Sequence, residues 1–233
     1  MSGGLLFRAA RKSATAFESF LLSRSLVLTH TPKPYTRPRL FDISEKAWDY
    51  ARYSALEMVA ARIKEKGIKG NVAEVGVYKG TFASRINMAF PDRKLYLFDT
   101  FEGFDSRDVV TEKQNGFSTG EQDFSDTNAK AVLRSMPFPK KCELRIGFFP
   151  GTAEGLDDQF AFVSLDPDLH DPAYEGLKYF YPRLSPGGYI FVHDYNVDDY
   201  SGINVAVDTF CQENNLSLFP LSDKRGSIVI TKQ

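Results

Sequence analysis

The chain has 233 residues, of which 42% are hydrophobic, 25% charged and 14% aromatic, an ordinary globular composition. This length predicts one large domain whose core needs no disulfide or metal to fold. The formal net charge is −1, but residues 1–41 hold seven bases and one acid, which leaves 22 bases and 29 acids in residues 42–233. A body this acidic repels a phosphate backbone, so the composition argues against nucleic-acid binding.

The cysteine content and the hydropathy exclude two further classes of protein. The two cysteines, Cys142 and Cys211, are too few for a disulfide framework, and they are not spaced as zinc ligands. We therefore expect a reducing, cytoplasmic setting. No apolar run approaches the roughly 18–20 residues that a membrane span requires.

Residues 1–41 are predicted to form a separate basic N-terminal arm that includes a proline-rich connector at 29–40. Apolar residues at helical spacing indicate an amphipathic helix in the arm: Leu6, Ala10, Phe17 and Leu21. We expect this helix to pack on the domain or on a partner subunit, the second of which would give a homo-oligomer. A helix lying on a membrane surface is the less favoured alternative.

Residues 42–233 are predicted to form one domain, beginning with a helix over 42–67 that Ser44 caps and Gly67 ends. Over 71–233 strands and helices alternate, which is typical of a mostly parallel sheet with crossover helices. The predicted strands cover 71–78, 94–100, 142–149, 160–166, 188–195, 216–221 and 227–232. The predicted helices between them cover 80–90, 126–136, 172–184 and 202–215. The last two strands are joined by a short turn and must be antiparallel.

One segment, residues 103–125, shows no regular pattern and is longer than most loops in compact domains. A segment of this kind is typical of a lid that closes across a binding site. Together with parts of the N-terminal region it is expected to form the pocket for an acceptor molecule, the other candidates being Tyr35, Trp48, Arg52 and Tyr53.

Polar residues collect where the predicted parallel strands end. Ligands bind beyond the carboxyl ends of the strands in an open parallel sheet, so these residues are expected to meet at one edge. The first strand delivers Glu74, Gly76 and Gly80, the second Asp99, Thr100 and Phe101, the fourth Asp166, Asp168 and His170, and the fifth His193 and Asp194.

The turn after the first strand, EVGVYKG, lets the backbone approach a ligand at Gly76 and Gly80, but it matches neither GxGxxG nor a phosphate-binding loop. Glu74 would repel a phosphate and suits a ligand with cationic character. Asp99 ends the second strand, where a carboxylate can accept hydrogen bonds from ribose hydroxyls. These features together indicate a positively charged nucleoside, a description that S-adenosylmethionine meets.

Three segments carry a resemblance to a known family: AEVGVYKGTFAS, LYLFDTFEGF and LDPDLHDPAYEGLKYFYPRLSPGGYIFVHDYN. They resemble the macrocin O-methyltransferase (TylF-type) family of S-adenosylmethionine-dependent sugar methyltransferases. The resemblance runs from about residue 50 to the C-terminus. It implies an α/β fold of the Rossmann-like class I type, with a seven-stranded, mostly parallel sheet of order 3-2-1-4-5-7-6 whose last strand is antiparallel. It also implies methyl transfer to a hydroxyl of a sugar or a related small molecule.

The resemblance further assigns roles to individual residues. The cofactor, S-adenosylmethionine, would be bound by Glu74, Gly76, Gly80, Thr81, Asp99, Thr100 and Phe101. Asp168 would be the general base, and Asp166, His193 and Asp194 occupy the positions that hold a magnesium ion in metal-dependent relatives. His193 replaces the aspartate usual there, and because Mg²⁺ prefers oxygen ligands, a requirement for Mg²⁺ or another divalent metal is left open. Without a metal, His193 or His170 would be the proton acceptor.

Two other classes of function are weighed against this one. A nicotinamide-dependent oxidoreductase shares the architecture, but a third glycine in the first turn would have favoured it. A non-catalytic, nucleoside-binding member of the family is the second alternative. The intact set of acids at the strand ends argues against it.

Overall fold

A computed structural model describes residues 49–233 of the chain. The predicted arm and connector, the candidates Tyr35 and Trp48, and the start of the predicted first helix at residue 42 lie outside the described residues. In the described part no helix is both long and apolar enough to cross a membrane.

The described chain alternates helices and strands as the sequence predicts. The helices are α1 (Tyr50–Glu65), α2 (Thr81–Ala89), α3 (Ser106–Asn115), α4 (Ala129–Ser135), α5 (His170–Arg183) and α6 (Ser201–Glu213). The strands are β1 (Asn71–Val75), β2 (Leu95–Asp99), β3 (Cys142–Ile146), β4 (Phe160–Leu165), β5 (Leu184–Val192), β6 (Phe219–Pro220) and β7 (Ile228–Thr231). Each strand ends one to three residues earlier than predicted, and after β1 and β5 the polar residues predicted as strand form turns that carry the site.

All seven strands form one sheet of order β3-β2-β1-β4-β5-β7-β6, which confirms the predicted strand order. The five strands from β3 to β5 run parallel, whereas β7 is antiparallel to both of its neighbours. The carboxyl ends of β1, β2, β4 and β5 therefore lie along one edge of the sheet.

The two faces of the sheet bury separate hydrophobic clusters, because alternate residues of a strand point to opposite faces. On one face Val75, Phe98 and Val163 pack with α5 and α6. On the other face Val72, Leu97 and Phe162 pack with α1 and α2. Because helices cover both faces of the sheet, the polar turns are left at its carboxyl edge.

The main departure from the predicted elements is in residues 103–125, where the structure contains α3 instead of a patternless loop. Asp105 caps α3 by accepting a hydrogen bond from the Arg107 N–H, and Gly116 closes it with a φ of +68°. The buried carboxylate of Glu112 accepts hydrogen bonds from the His170 N–H at 2.7 Å and from the Ser118 hydroxyl at 2.6 Å. These bonds anchor the segment to the start of α5.

Candidate functional site

A cavity of about 460 Å³ opens at the edge where β1, β2, β4 and β5 end. Its volume lies within the range that is usual for small-molecule sites. Most of the site residues predicted from the sequence line it: Glu74, Gly76, Thr81, Asp99, Thr100, Asp166, Asp168, His193 and Asp194.

The turn after β1 brings the backbone unusually close to β4. Gly76 has a φ of +81°, and a Cβ placed there would lie 2.0 Å from the Asp166 carbonyl oxygen. Only glycine fits this combination of conformation and contact. Beside it, Glu74 is 1% exposed, and its Oε2 has no hydrogen-bond partner among the described residues. Burial, and then the charge of Asp166, raise the pKa of Glu74 well above its ordinary value.

Asp99 organises the neighbouring turn through three backbone hydrogen bonds. One carboxylate oxygen accepts from the Val77 N–H at 2.6 Å and from the Tyr78 N–H at 2.8 Å. The other accepts from the Phe101 N–H at 2.6 Å. A carboxylate has about four lone-pair sites, so Asp99 retains acceptor capacity toward a ligand after it has fixed the turn.

Two of the predicted cofactor residues do not line the cavity. Phe101 turns its side chain into the hydrophobic cluster that contains Val132 and Met136, because its backbone has a φ of +55°. Gly80 lies against the same two side chains and begins α2. Other aromatic residues line the cavity, among them Phe104, Phe124 and Phe148. Phe104 and Phe124 belong to the segment 103–125, which was predicted to help form the acceptor pocket, whereas no sequence pattern marks Phe148.

The acidic turns after β4 and β5 line the same cavity. Asp168 and Asp194 have φ values of +61° and +60°, conformations that non-glycine residues seldom adopt and that cluster at functional sites. His193 Nδ1 lies 2.9 Å from an oxygen of Asp166 and 3.1 Å from an oxygen of Asp194. The predicted group of Asp166, Asp168, His193 and Asp194 is therefore brought together by the fold.

Two arginines complete this cluster: Arg52, which was predicted only as a residue of the acceptor pocket and does line the cavity, and Arg225, which was not predicted. Arg52, which is 5% exposed on α1, donates from Nη1 to Asp166 Oδ2 at 3.1 Å. Arg225, in the turn before β7, donates from Nε to Asp194 Oδ1. No sequence signal links Arg225 to Asp194, because the two residues meet only when β7 pairs with β5.

The charges of the cluster shift the pKa values of its members in opposite directions. Burial alone would lower the pKa of His193, but Asp166 and Asp194 outweigh it and raise the pKa to about 11. Burial alone would raise the pKa of Asp166, but His193 and Arg52 lower it below its ordinary value. Burial, and then the charges of Asp166 and Asp194, raise the pKa of Asp168 well above its ordinary value.

His170 lies apart from this cluster and does not line the cavity. Its Nδ1 is 2.8 Å from an oxygen of Asp171, and its ring stacks against Phe117 and Tyr174. This arrangement is that of a structural histidine at the start of α5, and it offers no support for His170 as a proton acceptor.

The predicted metal ligands are close together, but they do not fit a divalent cation. Donor atoms of Asp166, His193 and Asp194 lie within 4.8 Å of one another. The two oxygens of each aspartate, however, already face nitrogen donors of His193, Arg52 or Arg225. A hard cation such as Mg²⁺ requires several free oxygen ligands. To bind a metal through Nδ1, His193 would have to lose the proton that Nδ1 donates to these aspartates.

Comparisons with known proteins show which family and which solved structures the chain is similar to. The model of the family described as Macrocin-O-methyltransferase (TylF) matches residues 47–223. Mycinamicin III 3''-O-methyltransferase of Micromonospora griseorubida is 28% identical over 143 residues, which cover 55% of this chain and 56% of that protein. The 8-demethyl-8-(2,3-dimethoxy-alpha-L-rhamnosyl)-tetracenomycin-C 4'-O-methyltransferase of Streptomyces olivaceus is 27% identical over 159 residues, 63% of this chain and 61% of that protein. The chain thus spans less than two thirds of the length of either relative.

Solved structures show the same fold. The O-methyltransferase NovP superimposes with a TM-score of 0.62 and 19% identity, covering 79% of this chain and 80% of that one. The calicheamicin methyltransferase CalS11 gives a TM-score of 0.63 and 19% identity, covering 77% and 78%. At this identity the likeness concerns the fold alone, and it confirms the class I fold that the sequence predicts.

Proposed function

The chain belongs to the macrocin-O-methyltransferase (TylF) family, and on that basis we propose that it transfers a methyl group from S-adenosylmethionine to a hydroxyl of a sugar or a related small molecule. The observation that carries the proposal is the pairing of two acidic ends in one cavity, Glu74 at β1 and Asp168 after β4. One of the two relatives is named for an acceptor that bears a rhamnosyl group, which favours a sugar hydroxyl.

The β1 end of the cavity suits the cofactor. Glu74 offers a buried carboxylate oxygen without a partner among the described residues, and a cationic ammonium would satisfy it. The absence of a side chain at Gly76 lets the turn after β1 pass close to the backbone of Asp166, and both residues line this part of the cavity. Asp99 would accept from ribose hydroxyls, while Thr81 and Thr100 line the same wall. When bound, S-adenosylmethionine supplies the methyl group.

The β4 end of the cavity suits the acceptor. A sugar hydroxyl is a weak nucleophile near neutral pH and must lose a proton as the methyl group arrives, so a base within reach is needed. Asp168 lines the cavity, and its raised pKa makes its carboxylate a stronger base than an ordinary aspartate. His193 is less suited to this role, since at a pKa of about 11 it holds its proton at neutral pH.

The proposal is tested by mass-spectrometric detection of S-adenosylhomocysteine and of a methylated product when the protein is incubated with S-adenosylmethionine and a panel of glycosides and nucleotide sugars. We expect Asp168→Asn to lower the turnover by about 10²- to 10⁴-fold, the usual contribution of a general base, with little change in affinity for S-adenosylmethionine.

Asp198→Asn is the matched control, because Asp198 is an exposed aspartate close to the end of β5. Turnover of Asp168→Asn equal to that of the control would overturn the assignment of the base. Calorimetric binding of NAD in preference to S-adenosylmethionine would overturn the proposed reaction and favour an oxidoreductase.

A further inference from the structure

Three side chains with nitrogen donors surround Asp166 and Asp194: His193 contacts both aspartates, and Arg52 and Arg225 contact one each. His193 Nδ1 lies 2.9 Å from Asp166 Oδ1 and 3.1 Å from Asp194 Oδ2. Arg52 Nη1 lies 3.1 Å from Asp166 Oδ2, and Arg225 Nε contacts Asp194 Oδ1. Each of the four carboxylate oxygens thus faces a charged or chargeable nitrogen donor.

Each donor is held in position by a different element of the fold. The Arg52 guanidinium also donates to the Ser164 hydroxyl at 3.2 Å, and it lies 3.8 Å from the centre of the Phe82 ring. The backbone N–H of His193 donates to the Leu165 carbonyl at 2.9 Å. These contacts come from α1, α2, β4 and the end of β5, so the arrangement is built into the scaffold.

The turn that carries Arg225 is equally constrained. The Arg225 guanidinium lies 5.5 Å from the centre of the Tyr200 ring. The next residue, Gly226, has a φ of +69°, and a Cβ there would lie 2.5 Å from the Cβ of Asn196. The turn is therefore pressed against the segment that follows β5, with Arg225 directed at Asp194.

The chemistry of these donors opposes a metal ion. A nitrogen that faces two carboxylate oxygens at hydrogen-bond distance must carry a proton, so His193 Nδ1 has no lone pair to offer. Arginine does not deprotonate in proteins, so Arg52 and Arg225 remain cationic beside the same oxygens. A divalent cation would add two positive charges to carboxylates that are already neutralised.

We propose that His193, supported by Arg52 and Arg225, replaces the divalent cation of metal-dependent relatives, so that this protein orients Asp166 and Asp194 without a metal. The inference rests on the proposed function for the identity of the acceptor hydroxyl that this cluster faces. His193 acts here as a positioning residue, fixing the two carboxylates and contributing positive charge at the acceptor end of the cavity, while Asp168 remains the base.

Binding of Mn²⁺ to the full chain, followed by electron paramagnetic resonance, tests the inference without any assay of activity. We expect the wild-type protein to leave the signal of free Mn²⁺ unchanged. His193→Asp would supply a third carboxylate in place of the imidazole. We expect it to bind Mn²⁺ at least about tenfold more tightly than the wild type, in line with the size of ligand-shell effects on metal affinity.

His170→Asp is the matched control, because it makes the same substitution in the other His-Asp pair, which lies outside the cavity. We expect it to behave as the wild type. In parallel, treatment of the wild type with a chelator should leave methyl transfer within about twofold of the untreated rate, since no metal supplies part of the activation.

Stoichiometric, chelator-reversible binding of Mn²⁺ by the wild type would overturn the inference. So would equal binding of Mn²⁺ by His193→Asp and His170→Asp. If His193→Asp does not fold, the wild-type titration still decides. Mn²⁺ binding is measured without an acceptor molecule. A failure to find methyl transfer would therefore count against the proposed function only, and the titration would still show whether the cluster binds a metal.

Discussion

Gly76 shows how a single missing side chain creates the ligand turn. Its φ of +81° alone would make alanine unfavourable by roughly 1 kcal/mol. The steric clash of an added Cβ with the Asp166 carbonyl oxygen at 2.0 Å would cost far more, because a Cβ and a backbone carbonyl cannot move apart without a shift of the main chain. We expect Gly76→Ala to lower the free energy of unfolding by about 3 kcal/mol or more and to abolish binding of S-adenosylmethionine.

Gly155→Ala separates the two causes. Gly155 has a φ of +72°, close to that of Gly76, but nothing lies within 4 Å of a Cβ placed there. Gly155→Ala is therefore the control: it should lose only the stability that a positive φ costs alanine, and it should bind S-adenosylmethionine as the wild type does. Chemical denaturation and calorimetry measure both quantities. Equal losses in the two variants would mean that the close approach to Asp166 is unimportant.

Asp99 illustrates a residue with a structural and a binding role at once. Its three backbone hydrogen bonds require an acceptor at both side-chain oxygens, and asparagine would present an NH₂ group to one set of donors. We expect Asp99→Asn to cost about 1–3 kcal/mol of stability and to weaken S-adenosylmethionine binding. Asp92→Asn, at an exposed position near the start of β2, should change neither quantity. Thermal unfolding and calorimetry check both, and a stable Asp99→Asn protein would contradict the assigned hydrogen bonds.

At the scale of elements, the helices and strands that could be predicted from the sequence are those that a hydrophobic period and turn residues mark. The alternation of strands and helices, and the convergence of Asp166, Asp168 and Asp194, follow from buried runs that end in polar turns. The strand order itself came from the family resemblance. Helix α3 was missed because its adjacent valines, Val109 and Val110, give no helical period, and its buried face is polar. The N-cap Asp105 and the closing Gly116 were the signals that could have revealed it.

The anchoring of α3 by Glu112 predicts a local effect. In Glu112→Ala the His170 N–H and the Ser118 hydroxyl lose their acceptor in a buried place, at a cost of about 2 kcal/mol. We expect faster amide hydrogen exchange over 103–125, with the strands of the sheet unchanged. Glu121→Ala, at an exposed site of the same segment, is the control and should stay within about 0.5 kcal/mol of the wild type. Exchange that rises equally in the sheet would show that Glu112 supports the whole fold instead.

At the scale of the whole molecule, the fold gathers charges that the sequence scatters. Arg52, Asp166, His193 and Arg225 come from four separate elements, and only the pairing of β7 with β5 and the packing of α1 on the sheet bring them into one cluster. Hydrophobic patterning specifies that packing, but it carries no information on which arginine of a turn will reach the site. The edge of the sheet was therefore predictable from the sequence, whereas the ion-pair network was not.

Two aspartates near the cavity predict how the stability of the molecule depends on pH. Burial, and then Asp105 and Asp171, raise the pKa of Asp108 from 3.8 to about 7. Between about pH 4 and pH 7 the unfolded chain has released this proton while the folded chain keeps it, so stability falls as pH rises through this window. We expect Asp108→Asn to match the wild type below pH 4. Above pH 7 we expect it to be more stable by about 1–2 kcal/mol, a value reduced because water reaches the cavity.

Asp105→Asn should show the opposite sign. The hydrogen bond from Arg107 lowers the pKa of Asp105 to about 2, so its contribution is present above pH 4 and is lost as pH falls through 2. Asparagine can still cap α3, so the cap of the helix is kept when the charge is removed. The unfolding temperature of both variants and of the wild type, measured from about pH 2 to pH 9, checks the pair. An Asp108→Asn protein that is less stable than the wild type at pH 8 would show that the Asp108 carboxylate gains a stabilising partner when it ionises.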